Sequence, residues 1–146
     1  MKRLAVFPAF LRAVFAACLS VMVANISNPT LNGGINISIK VPLHQYDATI
    51  AFYRDTLNLP MVEEEAEGCI FQFGPSRLWV DKAPQLAQAD VSLELETNDT
   101  LAAARYLKNH GVPRRDEIEE LPEDFDGFFV TDPAGIIHLV VGESNY

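Results

Sequence analysis

A chain of 146 residues, 49% hydrophobic and 10% aromatic, is long enough for one domain with a real core and too apolar for wholesale disorder. Twenty Asp and Glu against 11 Lys and Arg leave a net charge of −9, which excludes a general nucleic-acid binder and a protein drawn to anionic lipid, since both need basic surface. Two cysteines with no CxxC exclude a disulfide framework and a thiolate zinc site.

The charge is unevenly placed. Residues 1–34 hold Lys2, Arg3 and Arg12 and no acid, so all 20 acids fall in residues 35–146. A break of this size marks a boundary. The segment before it opens on a basic pair and continues as apolar sequence, with small residues at Ala16, Ala17 and Cys18, and it resembles a secretory signal peptide. Arg12 in its middle and Pro8 near its start work against insertion and against a spanning helix. Three readings stay open. They are an extension on a cytoplasmic protein (with a true start at Met22 as one version), a cleaved export signal, and a membrane tether. Asn28 to Gly34 reads as a linker.

Ile35, Ile37, Ile39 and Val41 alternate with Asn36, Ser38 and Lys40, which predicts a half-buried strand ended by Pro42. Ile50, Phe52, Tyr53 and Leu57 are spaced for a helix over 47–57, with His44 in the loop before it and Asn58 where a left-handed helix-ending residue belongs. Short strands are predicted at 61–65, 69–73 and 78–82. The order then repeats. Val91, Leu93 and Leu95 oppose Ser92, Glu94 and Glu96 in a strand over 91–96. A helix over 100–109, capped by Asn98 or Asp99, runs to His110 and the helix-ending Gly111. Strands follow near 114–117, 128–131 and 136–141. Tyr53 and Leu57-Asn58-Leu59-Pro60 lie over Tyr106 and His110-Gly111-Val112-Pro113, and Leu78-Trp79-Val80 lies over Ile137-His138-Leu139. The chain thus reads as an extension over 1–34 and one domain over 35–142, built from module one at 35–83 and module two at 90–142.

Three stretches, in order, carry a resemblance: Ile37-Ser38-Ile39-Lys40-Val41-Pro42, the helix end Ala51-Phe52-Tyr53-Arg54-Asp55-Thr56-Leu57-Asn58-Leu59-Pro60, and the turn Thr131-Asp132-Pro133-Ala134-Gly135-Ile136-Ile137-His138-Leu139. Over about residues 35–142 the chain resembles the vicinal oxygen chelate superfamily of glyoxalases, bleomycin-resistance proteins and extradiol dioxygenases. The resemblance implies an α+β fold in which duplicated β-α-β-β-β modules form a curved eight-stranded cup, helices outside and a cavity within. The alternation then points Asn36, Ser38 and Lys40 inward from the first strand, Trp79 and Asp81 from the fourth, Asp90, Ser92 and Glu94 from the fifth, and His138 from the last. Phe71 and Phe73 share a face with Cys69 and would add apolar wall.

Metal-dependent members take one ligand from the first and one from the last strand of each module. By position those places are Asn36, Trp79, Asp90 and His138. Trp cannot ligate, and Asn offers only a neutral carbonyl oxygen, so this departure from the family pattern points to a cup without the usual metal. If Fe, Mn, Ni or Zn binds, Asp90 and His138 are the competent ligands, with Asp81 as substitute third. The step from Gly135 to His138 is one residue shorter than the common pattern of the family.

Each candidate also has a plain structural reading. His138 can be a hydrogen-bonded wall residue, Asp90 a turn cap, Trp79 core, Asp81 with Lys82 an exposed strand end, and Lys40 half of an ion pair. His44 and His110 read as surface, and Cys69 as a small buried hydrophobe. The run Asp116–Gly127 is acidic and carries Leu121 and Phe125. It is either a solvated loop or a flap presenting charge and an aromatic to a ligand.

Two functions compete on the ligand set. One is a binding module of an acidic homodimer, holding a small aromatic or cationic molecule through Trp79, Phe125 and its carboxylates, and contacting it through Asn36, Ser38, Lys40, Asp90, Ser92 and His138. The other is a metal-dependent lyase, isomerase or dioxygenase of glyoxalase type, with Glu94 or His138 moving a proton. A third reading leaves the cup empty and assigns the work to an interaction made by the apolar N-terminus.

Overall fold

The computed structural model describes residues 28–143. The signal-like stretch and the alternative start at Met22 lie outside them. The order is β1 (Asn32–Val41), α1 (Leu43–Ala51) continued by a π turn (Phe52–Thr56), β2 (Met61–Glu64), β3 (Gly68–Phe73), β4 (Ser76–Lys82), β5 (Asp90–Thr97), α2 (Thr100–Asn109), β6 (Gly127–Thr131) and β7 (Ile137–Gly142).

The strands form one curved sheet in the order β2-β3-β4-β1-β5-β7-β6. Each module places its first strand parallel to its last, β1 with β4 and β5 with β7. The modules meet where β1 runs antiparallel to β5, with Ser38 opposite Ser92 and Lys40 opposite Asp90. Chain connections between parallel neighbours need a crossover, and α1 and α2 supply the start of each.

Helix α1 begins four residues before the sequence predicts. Pro42 sits at its entry with φ −54° and ψ 145°, and its carbonyl accepts the Gln45 N–H at 2.9 Å. His44 therefore lies in the first helical turn, exposed, and not in a loop. Tyr46 and Ile50, one turn apart, are the buried stripe. The helix ends in a wide turn, where Leu57 N–H donates to Phe52 O at 2.9 Å and Asn58 takes φ +52°. Gly111 takes φ +81° at the corresponding place after α2, so the matched pair Asn58 and Gly111 performs one backbone task twice. Helix α2 spans the predicted residues, and the Asp99 carboxylate accepts the Ala102 N–H as its cap.

Seven strands are described, and the strand predicted near 114–117 is not among them. One ladder bond survives there, from Arg115 N–H to Phe129 O at 2.7 Å. Pro113 lacks a donor on one side. On the other, Ile118 N–H turns back to Arg115 O at 3.1 Å and curls the chain off the sheet edge.

The core has two halves on the helix side of the sheet. Under α1, Val41, Tyr46, Ile50, Cys69, Phe71, Leu78 and Val80 pack together. Under α2, Ala103, Phe128, Val130 and Val140 do the same, with Leu31, Leu95 and Leu107 against them. Phe71 and Cys69 thus belong to the core, not to the cup wall. Phe71 pairs with Leu78 and Cys69 with Val80, and both partners face α1. Phe73 is exposed at the strand end. Among the described residues no helix is long and apolar enough to cross a membrane.

Candidate functional site

The other face of the sheet lines a cavity of about 470 Å³ bounded by Asn36, Ser38, Arg77, Trp79, Asp81, Glu94, Phe125, Leu139 and Val141. Period-2 alternation places Arg77, Trp79 and Asp81 on one face of β4, next to Asn36, Ser38 and Lys40 of β1.

One hydrogen-bonded chain crosses the floor of this cavity. Trp79 Nε1–H donates to Asn36 Oδ1 at 2.9 Å, and Asn36 Nδ2–H donates to Glu94 Oε2, also at 2.9 Å. The indole can only donate, so it orients the Asn36 amide, and the amide then turns its own donor to the carboxylate. Glu94 is 9% exposed, a depth at which a carboxylate needs such a donor. Gly34 makes room for it, because a Cβ there would overlap the carboxylate and come within 2.6 Å of Glu94 Cγ. Replacing Gly34 with Ala is therefore expected to swing Glu94 off Asn36 and shift Trp79 emission, which steady-state fluorescence of this single tryptophan reads directly.

Asp81 closes the other end. Burial pushes its carboxyl up, against the opposing pull of the Lys40 ammonium and the Ser38 hydroxyl, whose Oγ–H donates at 3.5 Å. A carboxyl raised in the folded state binds a proton more tightly folded than unfolded. Its contribution to stability is thus full below the ordinary carboxylate value and falls as pH rises through the raised one. The expected result is a parent-minus-Asp81→Asn difference in melting temperature that declines with rising pH through the carboxylate range. A flat or rising difference in a pH-resolved melting series would contradict it.

A second cavity, about 60 Å³, continues the same face and is lined by Lys40, Asp90, Ser92, Glu119, Ile118 and Ile137 among others. The predicted site residues are thus divided. Asn36, Ser38, Trp79, Asp81, Glu94 and Phe125 share the large cavity, while Lys40, Asp90 and Ser92 lie in the small one. His138 is in neither. It stands opposite Leu93 and Val130 on the helix side, and its Nδ1 lies 3.1 Å from Ile136 O. Leu139 takes the inward place, opposite Glu94.

The turn before β7 explains this. The Asp132 carboxylate accepts the Ala134 and Ile136 N–H groups at 2.8 and 2.9 Å, and Gly135 takes φ +87°. That turn sets the strand's phase, and one residue of slip reverses every side chain. Arg77 is a site residue that the sequence reasoning does not reach. The predicted strand opens at Leu78, whereas β4 starts at Ser76, which puts Arg77 on the Trp79 face.

The residues do not fit the metal site that the resemblance implies. Asn36 and Trp79 bond each other, Asp90 lies in the neighbouring cavity and His138 on the opposite face. Among the described residues no group of three His, Cys, Asp or Glu side chains is arranged to hold a metal ion.

No family model matches the chain, and no curated protein matches it either. Solved structures do. The Mn(II)-bound glyoxalase from Novosphingobium aromaticivorans matches with a TM-score of 0.54 at 19% identity, covering 79% of this chain and 40% of that one. Methylmalonyl-CoA epimerase from Mycobacterium tuberculosis matches at 0.52 and 17%, covering 84% and 94%. Homoprotocatechuate 2,3-dioxygenase from Arthrobacter globiformis matches at 0.54 and 22%, covering 84% of this chain. The match spans 39% of that dioxygenase and 40% of the glyoxalase, less than half of either chain. All are vicinal oxygen chelate proteins. With its α+β modules and one curved sheet, this chain has the fold of the vicinal oxygen chelate superfamily.

Proposed function

We propose that the large cavity binds a small organic molecule and does so without a resident metal ion. The observation that carries this reading is the Trp79–Asn36–Glu94 hydrogen-bonded chain, which ties up Trp79 and Asn36, the residues at two of the four ligand positions that the resemblance implies. A bound molecule would meet a half-buried indole, the Phe125 ring and the apolar Leu139 and Val141 on its faces, and the Glu94 and Asp81 carboxylates at its polar groups. Flat molecules with an ammonium, amidinium or amide N–H suit that wall, since carboxylates accept and aromatic faces attract cations. A homodimer is part of the proposal as the assembly state of the acidic domain.

The metal clause is tested by elemental analysis. Protein incubated with Fe(II), Mn(II), Ni(II) or Zn(II) and desalted is expected to retain far less than one ion per chain. One tightly held equivalent would overturn the metal-free reading and turn attention to lyase and dioxygenase assays.

A further inference from the structure

We infer that the acidic strap from Asp116 to Asp126 is a latched cover over the cup, held shut by the Lys40–Glu119 ion pair and released for ligand entry; this rests on the cup being the ligand site. The strap touches both cavities, with Ile118 and Glu119 lining the small one and Phe125 the large one. Its two ends are tied to the sheet. Arg115 N–H donates to Phe129 O at 2.7 Å, and Gly142 N–H donates to Asp126 O at 2.9 Å, while Thr100 Oγ1–H donates to Asp126 Oδ1 at 2.6 Å. Between them the described backbone bonds are local turns, Ile118 to Arg115 and Phe125 to Pro122. The described ion pair that crosses from the middle of the strap to the cup is Lys40–Glu119.

The chemistry around Lys40 makes that pair reversible. Its neighbours across the sheet are Asp81 on β4 and Asp90 on β5, at matching register on the same face. When Glu119 leaves, the ammonium still has carboxylates at the two neighbouring strand positions, and Asp81 already feels its charge. Glu119 is the more exposed partner, at 46% against 28%, and goes to water at little cost. The far end behaves differently. A Cβ on Gly127 would come within 2.6 Å of the Phe125 ring and 2.8 Å of Val140 O, so that glycine lets the ring fold back over the strand. Opening is therefore expected to part at Glu119 and hinge at the tied Asp126 and Gly127, which swings Phe125 off the large cavity where Trp79 lies.

Trp79, the single tryptophan, lies in the cup and reports its access without any ligand. Acrylamide is small and uncharged, so its quenching of Trp79 reads exposure and not field. Replacing Glu119 with Gln should raise the quenching constant about two- to five-fold, the shift an exposed ion pair gives an open–closed equilibrium, and Glu119→Lys at least as much. Both substitutions sit on an exposed side chain, and circular dichroism checks the fold. Quenching constants equal to the parent in both variants would overturn the latch. A ligand screen that finds nothing counts against the cup as a binding site and leaves the quenching result standing, so the two failures are told apart.

Discussion

Replacing Phe71 with Ala is expected to lower stability by about 3–5 kcal/mol, a larger loss than truncating any polar residue of the cup. Phe71 is fully buried, packs in the module-one core with Tyr46, Ile50 and Leu78, and meets Tyr53 with ring centroids 5.8 Å apart. Removing the ring forfeits its transfer energy and leaves a hole between a sheet and a helix that are tied by backbone bonds and close poorly around it. A thermal melt should move down by more than about 10 °C. A drop of only a few degrees would mean that Phe71 lines the open cup, as the alternation of Cys69, Phe71 and Phe73 on its own allows.

Replacing Asn36 with Ala is the second large effect, about 2–4 kcal/mol, because one truncation removes a partner from two groups. The Trp79 indole N–H loses its acceptor and the buried Glu94 carboxylate loses its side-chain donor. Pairing the change with Glu94→Gln separates the two losses. The double variant should be less destabilised than the sum of the singles by about 1 kcal/mol or more, since Asn36 has less to satisfy once Glu94 is neutral. Strict additivity in denaturant titrations would contradict the coupling.

Local chemistry is the readable part of the sequence. Asn58 and Gly111 announce left-handed helix ends because few other residues go there cheaply, and both take positive φ. Asp99 announces a helix start because its short carboxylate reaches an otherwise unpaired N–H. Those signals, repeated in order, make the modules and the curved sheet legible.

Phase and face are harder. Alternation tells which residues share a side, not which side is the cup. Asn36, Ser38 and Lys40 settle the matter for β1 because one side is plainly polar. In β3 both sides bury an apolar residue, Ile70 on the Trp79 side and Cys69 and Phe71 on the helix side, so apolar positions alone do not say which side is the cup. In β7 the error is a single residue. The Asp132 turn is compact, and counting from Gly135 decides whether His138 or Leu139 faces in. The short step is visible in the sequence, but the turn's geometry is needed to convert it into a direction. Arg77 follows from the same arithmetic once Ser76 opens the strand.

The bond between Asn36 and Glu94 has no sequence signal, since it joins residues from the two modules whose separation depends on how β1 and β5 register. That register is also irregular between Gly33 and Ile37, next to where Gly34 admits the Glu94 side chain.

The most direct test is a ligand titration of chelator-treated protein. A panel of small aromatic and cationic compounds is screened by thermal shift, and each hit is titrated against Trp79 emission in the parent and in Glu94→Gln. The expected result is a compound that raises the melting temperature, changes Trp79 emission in the absence of any divalent ion, and binds at least about ten-fold more weakly to the variant, the loss that goes with one charged hydrogen bond. Binding that appears only after a divalent ion is restored, or that is indifferent to Glu94, would contradict a metal-free cup built around Trp79, Asn36 and Glu94.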